Sequence, residues 1–173
     1  MSERYFLKTV ICLLIILGTT VSGCKKDKET DRMFNVNEIG LLPPNAGKTK
    51  QKTNEQFVAI LYANLFQKAL SANQIFDISQ CMESIGDQEI AREVVISNFM
   101  NKPGTIIPTK AQMAANLNGF IVDTYNRFLV RNPTEAEKTY FNNYLTAHIT
   151  PADTLLPELV YFSFALSNEY MYY

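Results

Sequence analysis

Cys24 closes the tetrapeptide Val21-Ser22-Gly23-Cys24 at the end of a short apolar run. The chemistry open to a thiol in that setting is acylation, after cleavage between Gly23 and Cys24. Arg4 and Lys8 supply a basic start, Val10 to Leu17 a greasy stretch, and small residues precede the cut, which is the order of a secretory signal. Counted generously, Thr9 to Val21 is 13 residues, short of the roughly 20 a helix needs to cross a bilayer. The tetrapeptide resembles a bacterial lipobox. Residues 1–23 are therefore expected to be a lipoprotein signal peptide, and Cys24 to carry acyl chains such as palmitate. Each buried methylene then contributes about 0.8 kcal/mol of membrane affinity.

The other reactive side chains offer less. Cys12 leaves with the signal and Cys24 is acylated, so Cys81 has no partner for an intrachain disulfide and is expected in the core as a small apolar group. His148 is the only histidine. It falls near the end of a predicted helix, where an imidazole meets free carbonyls. No cluster of metal-ligand spacing surrounds it, so no metal is expected. Glu135 and Glu137 lie on different faces of a predicted helix and read as partners of its N-terminus. Glu83, Asp87 and Glu89 flank a helix break and read as caps or solvated charge. There is no glycine-rich phosphate loop. The expectation is a non-enzymatic protein without a cofactor. Loss of Glu3, Arg4 and Lys8 takes the 16 basic and 17 acidic residues to 14 and 16. A net charge near −2 argues against nucleic acid as a partner.

What must position any site is a helical domain over residues 54–173, behind a tether or linker over 24–53. Lys25 to Arg32 is a charged run that cannot bury apolar area. It resembles, loosely, the charged signal that accompanies export of lipoproteins to the outer face of the outer membrane. Surface exposure is thus expected ahead of a periplasmic orientation. Met33, Phe34, Val36, Ile39, Leu41 and Leu42 indicate that part of the linker straps against the domain.

Thr53-x-x-Gln56, Ser71-x-x-Gln74, Thr109-x-x-Gln112 and Thr134-x-x-Glu137 are capping boxes and mark four helix starts. Asp87 caps another helix, with Ile90, Val94 and Val95 inward. The fourth helix is expected to run unbroken from Thr109 to Asn132-Pro133, with Asp123 and Arg127 pairing on its outer face. A last helix follows Pro151 and is apolar nearly all round from Leu159 to Leu166. No stretch alternates like a strand, so the fold class is all-α.

The chain also repeats itself. Phe57, Tyr62, Ser71 and Gln74 match Phe120, Tyr125, Thr134 and Glu137 at an offset of 63, and Ile96 to Met100 match Leu166 to Tyr170 at 70. The difference is a seven-residue insertion around His148 to Leu156. The expected architecture is a helical bundle of two related three-helix units, 54–104 and 109–173, neither able to bury its stripe alone.

Tyr125-Asn126-Arg127-Phe128-Leu129, Arg131-Asn132-Pro133-Thr134, Glu137 and Ala165-Leu166-Ser167-Asn168-Glu169-Tyr170 form a pattern. It resembles the phycobilisome-linker-like domain of unknown function in bacterial surface proteins. It is also similar to a helical region of planctomycete cytochrome-associated proteins, although Cys-x-x-Cys-His is absent here. The resemblance implies an interaction or architectural module and carries over no catalytic residue. The expected role is a scaffold or protein-interaction lipoprotein of the envelope, held to the membrane by its lipid and binding an envelope protein. The alternative is a glycan-binding surface lipoprotein. Tyr161, Tyr170, Tyr172 and Tyr173 are the expected partner surface.

Overall fold

The computed structural model describes residues 41–43, 47–149 and 155–173. Gly23, Cys24, the charged run and residues 33–40 lie outside that range, as do 150–154 of the expected insertion. The described chain is helical, with two isolated bridges and no strand. Its helices are α1 (Asn54–Phe66), α2 (Ala72–Ser84), α3 (Gln88–Met100), α4 (Lys110–Ala115), α5 (Leu117–Leu129), α6 (Glu135–His148) and α7 (Pro157–Leu166), followed by a 3-10 turn at Glu169–Met171.

Each capping box forms as the sequence dictates. The hydroxyls of Thr53, Ser71, Thr109 and Thr134 accept the backbone N–H three residues on, and the side chain there reaches back to the cap. Asp87 accepts from the amides of Glu89 and Ile90. Such a cap contributes about 1 kcal/mol. The expected long fourth helix is broken at Asn116, whose φ of −149° leaves the helical region and whose side chain caps α5 at Gly119. The break belongs to the repeat: Asn116 stands 63 residues after Thr53, the cap of α1.

Helix ends repeat as well as starts. α1 and α5 stop in left-handed residues, Gln67 at φ 51° and Val130 at φ 55°, again 63 apart. A β-branched residue is strained there, yet the turn recurs because the following helix must fold back on its predecessor.

The core joins the two triplets. α1 packs on α2 and α3, α5 on α6 and α7, and α3 meets α7 across the middle. Phe57, Leu61 and Leu65 of α1, Ile96 and Phe99 of α3, Phe128 of α5 and Phe164 of α7 are all buried. At about 1.5–3 kcal/mol for each large apolar side chain removed from water, this core is the main stabilising element. Three expectations are corrected. Cys81 is exposed, because α2 turns Ile78, Ser79 and Met82 inward instead. Ile90 and Val94 are each 52% exposed, since α3 buries the longer stripe Ala91–Val95–Phe99. Arg127 donates to the Ile106 carbonyl at 2.8 Å and lies over the Tyr161 ring, in place of the expected pair with Asp123.

The end of the linker is a strap. Lys50 and Tyr173 exchange two backbone hydrogen bonds, and the Lys52 amide donates to Met171. The Leu42 amide donates to the carbonyl of Val130. The Lys52 ammonium donates to the Tyr170 carbonyl and lies 3.9 Å from the centre of that ring.

These burials set the alkaline behaviour of the protein. Burial, with Lys48 nearby, holds the Lys52 amine down to about 8. Burial pushes the hydroxyls of Tyr125 and Tyr170 upward. From about pH 8 the unfolded chain holds more protons on Lys52 than the folded one, so stability climbs with pH. Above about pH 10 the unfolded tyrosines ionise while the buried ones keep their protons, and stability falls. Urea midpoints across this range should therefore peak between about pH 8 and 10, with the rising limb missing from Lys52→Met. A monotonic fall from pH 7 would contradict the burial of Lys52.

Candidate functional site: a groove with an ionic end

The pattern residues of the second half meet in space. Arg131, just past the end of α5, is buried, and its guanidinium is gripped from two sides. Nη1 and Nη2 donate to the two oxygens of Glu137 at 2.9 and 2.7 Å. Nε and Nη2 donate to those of Glu169, both at 2.7 Å. This is fork-to-fork pairing with each carboxylate, the geometry in which arginine binds most strongly. Glu137 also accepts from the amide and hydroxyl of Thr134 at 2.7 and 2.8 Å, so one carboxylate completes both the capping box and the ion pair. Lys48, from the strap, donates to the Leu129 carbonyl at 2.6 Å and lies 3.7 Å from Glu169. The Arg131 guanidinium stands 4.9 Å from the centre of the Tyr125 ring. Hydrogen bonding from Arg131 first, then from Thr134, holds the Glu137 carboxyl down to about 2.

Above this cluster lies an open groove of about 510 Å³. Phe141 and Tyr144 of α6 form one wall, Leu159 and Phe162 of α7 the other, and Leu129 of α5 part of the floor. Arg131, Glu137 and Glu169 close one end. The groove has a structural cause. In the first triplet α2 and α3 pack on each other as well as on α1. In the second, α6 and α7 each pack on α5 but make little contact with one another. The residues that join them, 149–156, replace the tight turn at 85–87 and contain the insertion. At the offsets of 63 and 70, the counterparts of Arg131, Glu137 and Glu169 are Lys68, Gln74 and Phe99. In the first unit Phe99 packs edge-on against Tyr62 and Phe66 and closes the same corner with apolar contact.

The expected tyrosine surface is corrected in part. Tyr161 is 3% exposed and Tyr170 fully buried. Tyr161 stacks parallel to Phe120. Tyr170 sits edge-on to Phe57 of one unit and Phe128 of the other, its hydroxyl accepting from Asn64 at 3.1 Å. Tyr170 thus joins the two units, Tyr161 packs within the second, and neither ring can face a partner. Tyr172 is half-buried, and Tyr173 is exposed with its hydroxyl accepting from Gln56. The exposed aromatics outside that set include Phe76 of α2 and Tyr140 and Tyr144 of α6. Tyr140, Tyr144 and His148 recur every four residues and so share one helix face, a signal present in the sequence. The Tyr144 and His148 rings stack at 4.2 Å, and His148 Nδ1 lies 2.7 Å from the Tyr144 carbonyl. That is the carbonyl partnership expected at a helix end.

Among the described residues no three His, Cys, Asp or Glu side chains converge as metal ligands, and no helix is long and apolar enough to cross a membrane. The acidic candidates stay apart. Asp87 is a cap, Glu135 pairs with Lys138 at 3.4 Å, and Glu137 is committed to Arg131. No protein-family model, curated protein or solved structure matches the chain.

Proposed function

We propose that this protein is a non-enzymatic cell-envelope lipoprotein, held in the outer membrane through acylated Cys24, whose helical domain is a protein-interaction module. The partner face is the α6–α7 groove. One observation supports this above the rest: the second triplet departs from the first by an insertion and by an ionic corner, and both departures meet at the groove. A closed triplet of the first kind would bury more apolar area, so the open one leaves Leu159 51% and Tyr144 41% exposed at a stability cost. Exposed apolar groups that line a concavity with a polar rim mark interaction sites.

The reading is tested by placing a photo-activated cross-linking residue at Leu159 in intact cells, with the exposed Phe76 of α2 as control. A discrete adduct from position 159 and none from position 76 is expected. Equal smears from both positions, or no adduct at 159, would remove the groove from consideration.

A glycan-binding role draws on Tyr140 and Tyr144, whose exposed rings lie within 12° of parallel. Sugar-dependent quenching of tyrosine fluorescence that Tyr140→Ala abolishes would move that reading ahead.

A further inference from the structure

Resting on the groove as partner face, the geometry points to the chemistry of what it receives: an apolar segment of a partner protein that sets a lysine or arginine on the Glu137–Glu169 pair. The ionic cluster is sorted by depth. The side chains of Arg131 and Lys48 are only 7% and 6% exposed, while those of Glu137 and Glu169 are 32% and 31% exposed. The cations therefore lie behind and the carboxylates in front, and the groove meets an acidic end although the cluster as a whole is balanced.

The hydrogen bonds leave capacity in a defined place. Glu137 Oε2 already accepts from Arg131, the Thr134 amide and the Thr134 hydroxyl. Glu137 Oε1 and Glu169 Oε2 each accept from Arg131 Nη2, both at 2.7 Å, and the Tyr125 hydroxyl also lies against the Glu137 carboxylate. Sharing that one nitrogen holds the two oxygens no more than twice this distance apart. They come from different elements, α6 and the 3-10 turn, and each keeps lone-pair capacity. One ammonium or guanidinium approaching along the groove spans both. A carboxylate ligand would meet two fixed negative groups, with the nearest cations already engaged behind them. The remaining walls, Leu159, Phe162, Phe141 and Tyr144, suit aliphatic or aromatic neighbours of that basic residue.

The test uses the full chain in lipid vesicles and, as probe, a displayed library of random linear peptides. Selected peptides should carry a lysine or arginine flanked by Leu, Ile, Met or Phe. Changing that basic residue to Met in a synthetic copy should weaken binding by about tenfold or more, with a similar loss from Leu159→Glu in the protein. Binding that Leu159→Glu abolishes but that shows no basic preference, or that selects acidic peptides, would overturn this chemistry while leaving the groove as partner face. Absence of any peptide sensitive to Leu159→Glu would overturn the peptide-binding chemistry, and a simultaneous failure of the cross-link at position 159 would remove the groove as well. Displacement by sugars and by no peptide would assign the face to glycans.

Discussion

Arg131→Ala should lower stability by about 2–4 kcal/mol, because it leaves two part-exposed carboxylates facing each other across the space the buried guanidinium filled. For a domain of this size, that corresponds to a fall in Tm of roughly 10–20 °C. The guanidinium supplies four of the bonds that join the end of α5, the start of α6 and the end of the chain. Arg131→Lys should recover only part of the loss, since an ammonium cannot fork to both partners. Lys68→Ala, at the exposed counterpart in the first unit, should stay within about 0.5 kcal/mol of wild type. The acid limb provides a second signature. The Glu137 carboxyl is lowered in the folded state, so its contribution is complete above the ordinary carboxylate range and is lost as pH falls toward about 2. Removing Arg131 removes most of that depression, and the mutant's stability should fall less steeply between about pH 4.5 and 2. Thermal denaturation followed by circular dichroism across this range measures both effects. A mutant melting within a few degrees of wild type would show that the cluster is solvated and idle.

The comparison of sequence with structure follows interaction range. All four capping boxes were legible because a cap is a local exchange between residues three apart. The repeat was legible for the same reason, and it extends to the helix ends. Asn116 as the counterpart of Thr53 already breaks the fourth helix, and Val130 as the counterpart of Gln67 already ends it. Helix phase was less legible where two stripes compete. In α3, Ile90–Val94 is as apolar as Ala91–Val95, and only the third member, Phe99, settles which one turns inward. Tyr161 of the last helix misled because an apolar surround marks a central helix as well as a sticky one, and Tyr170 because the turn after that helix folds back into the core. The ionic corner was out of reach. Arg131 and Glu169 are 38 residues apart, and no periodicity links them. The pattern held every member, yet only packing brings Glu169 to the guanidinium. Opening of the groove was half-visible: the insertion could be counted, but its effect depends on α6 and α7 not closing over α5.

Cys24→Ala should move the protein from washed membranes to the soluble fraction while leaving its melting curve unchanged. The two halves of that expectation have separate grounds. Every helix of the described core lies after residue 53, and the described strap residues that pair with the C-terminal tail are Lys50 and Lys52. The packing described above is built from residues 42 onward, so the substitution is expected to leave the melting curve in place. Membrane retention, by contrast, rests on the acyl chains in the function proposed above. A single chain of about 14 carbons binds only weakly and reversibly, and two or more hold firmly. None of the described helices is long and apolar enough to cross a membrane, and a net charge near −2 gives no overall attraction to anionic lipid. Loss of the lipid attachment point should thus be all-or-none in fractionation, unlike the graded losses expected at Arg131 or Leu159. Retention of the mutant in washed membranes would show that something other than Cys24 holds the chain there, and the lipoprotein reading would fail even if the groove proved to bind its partner.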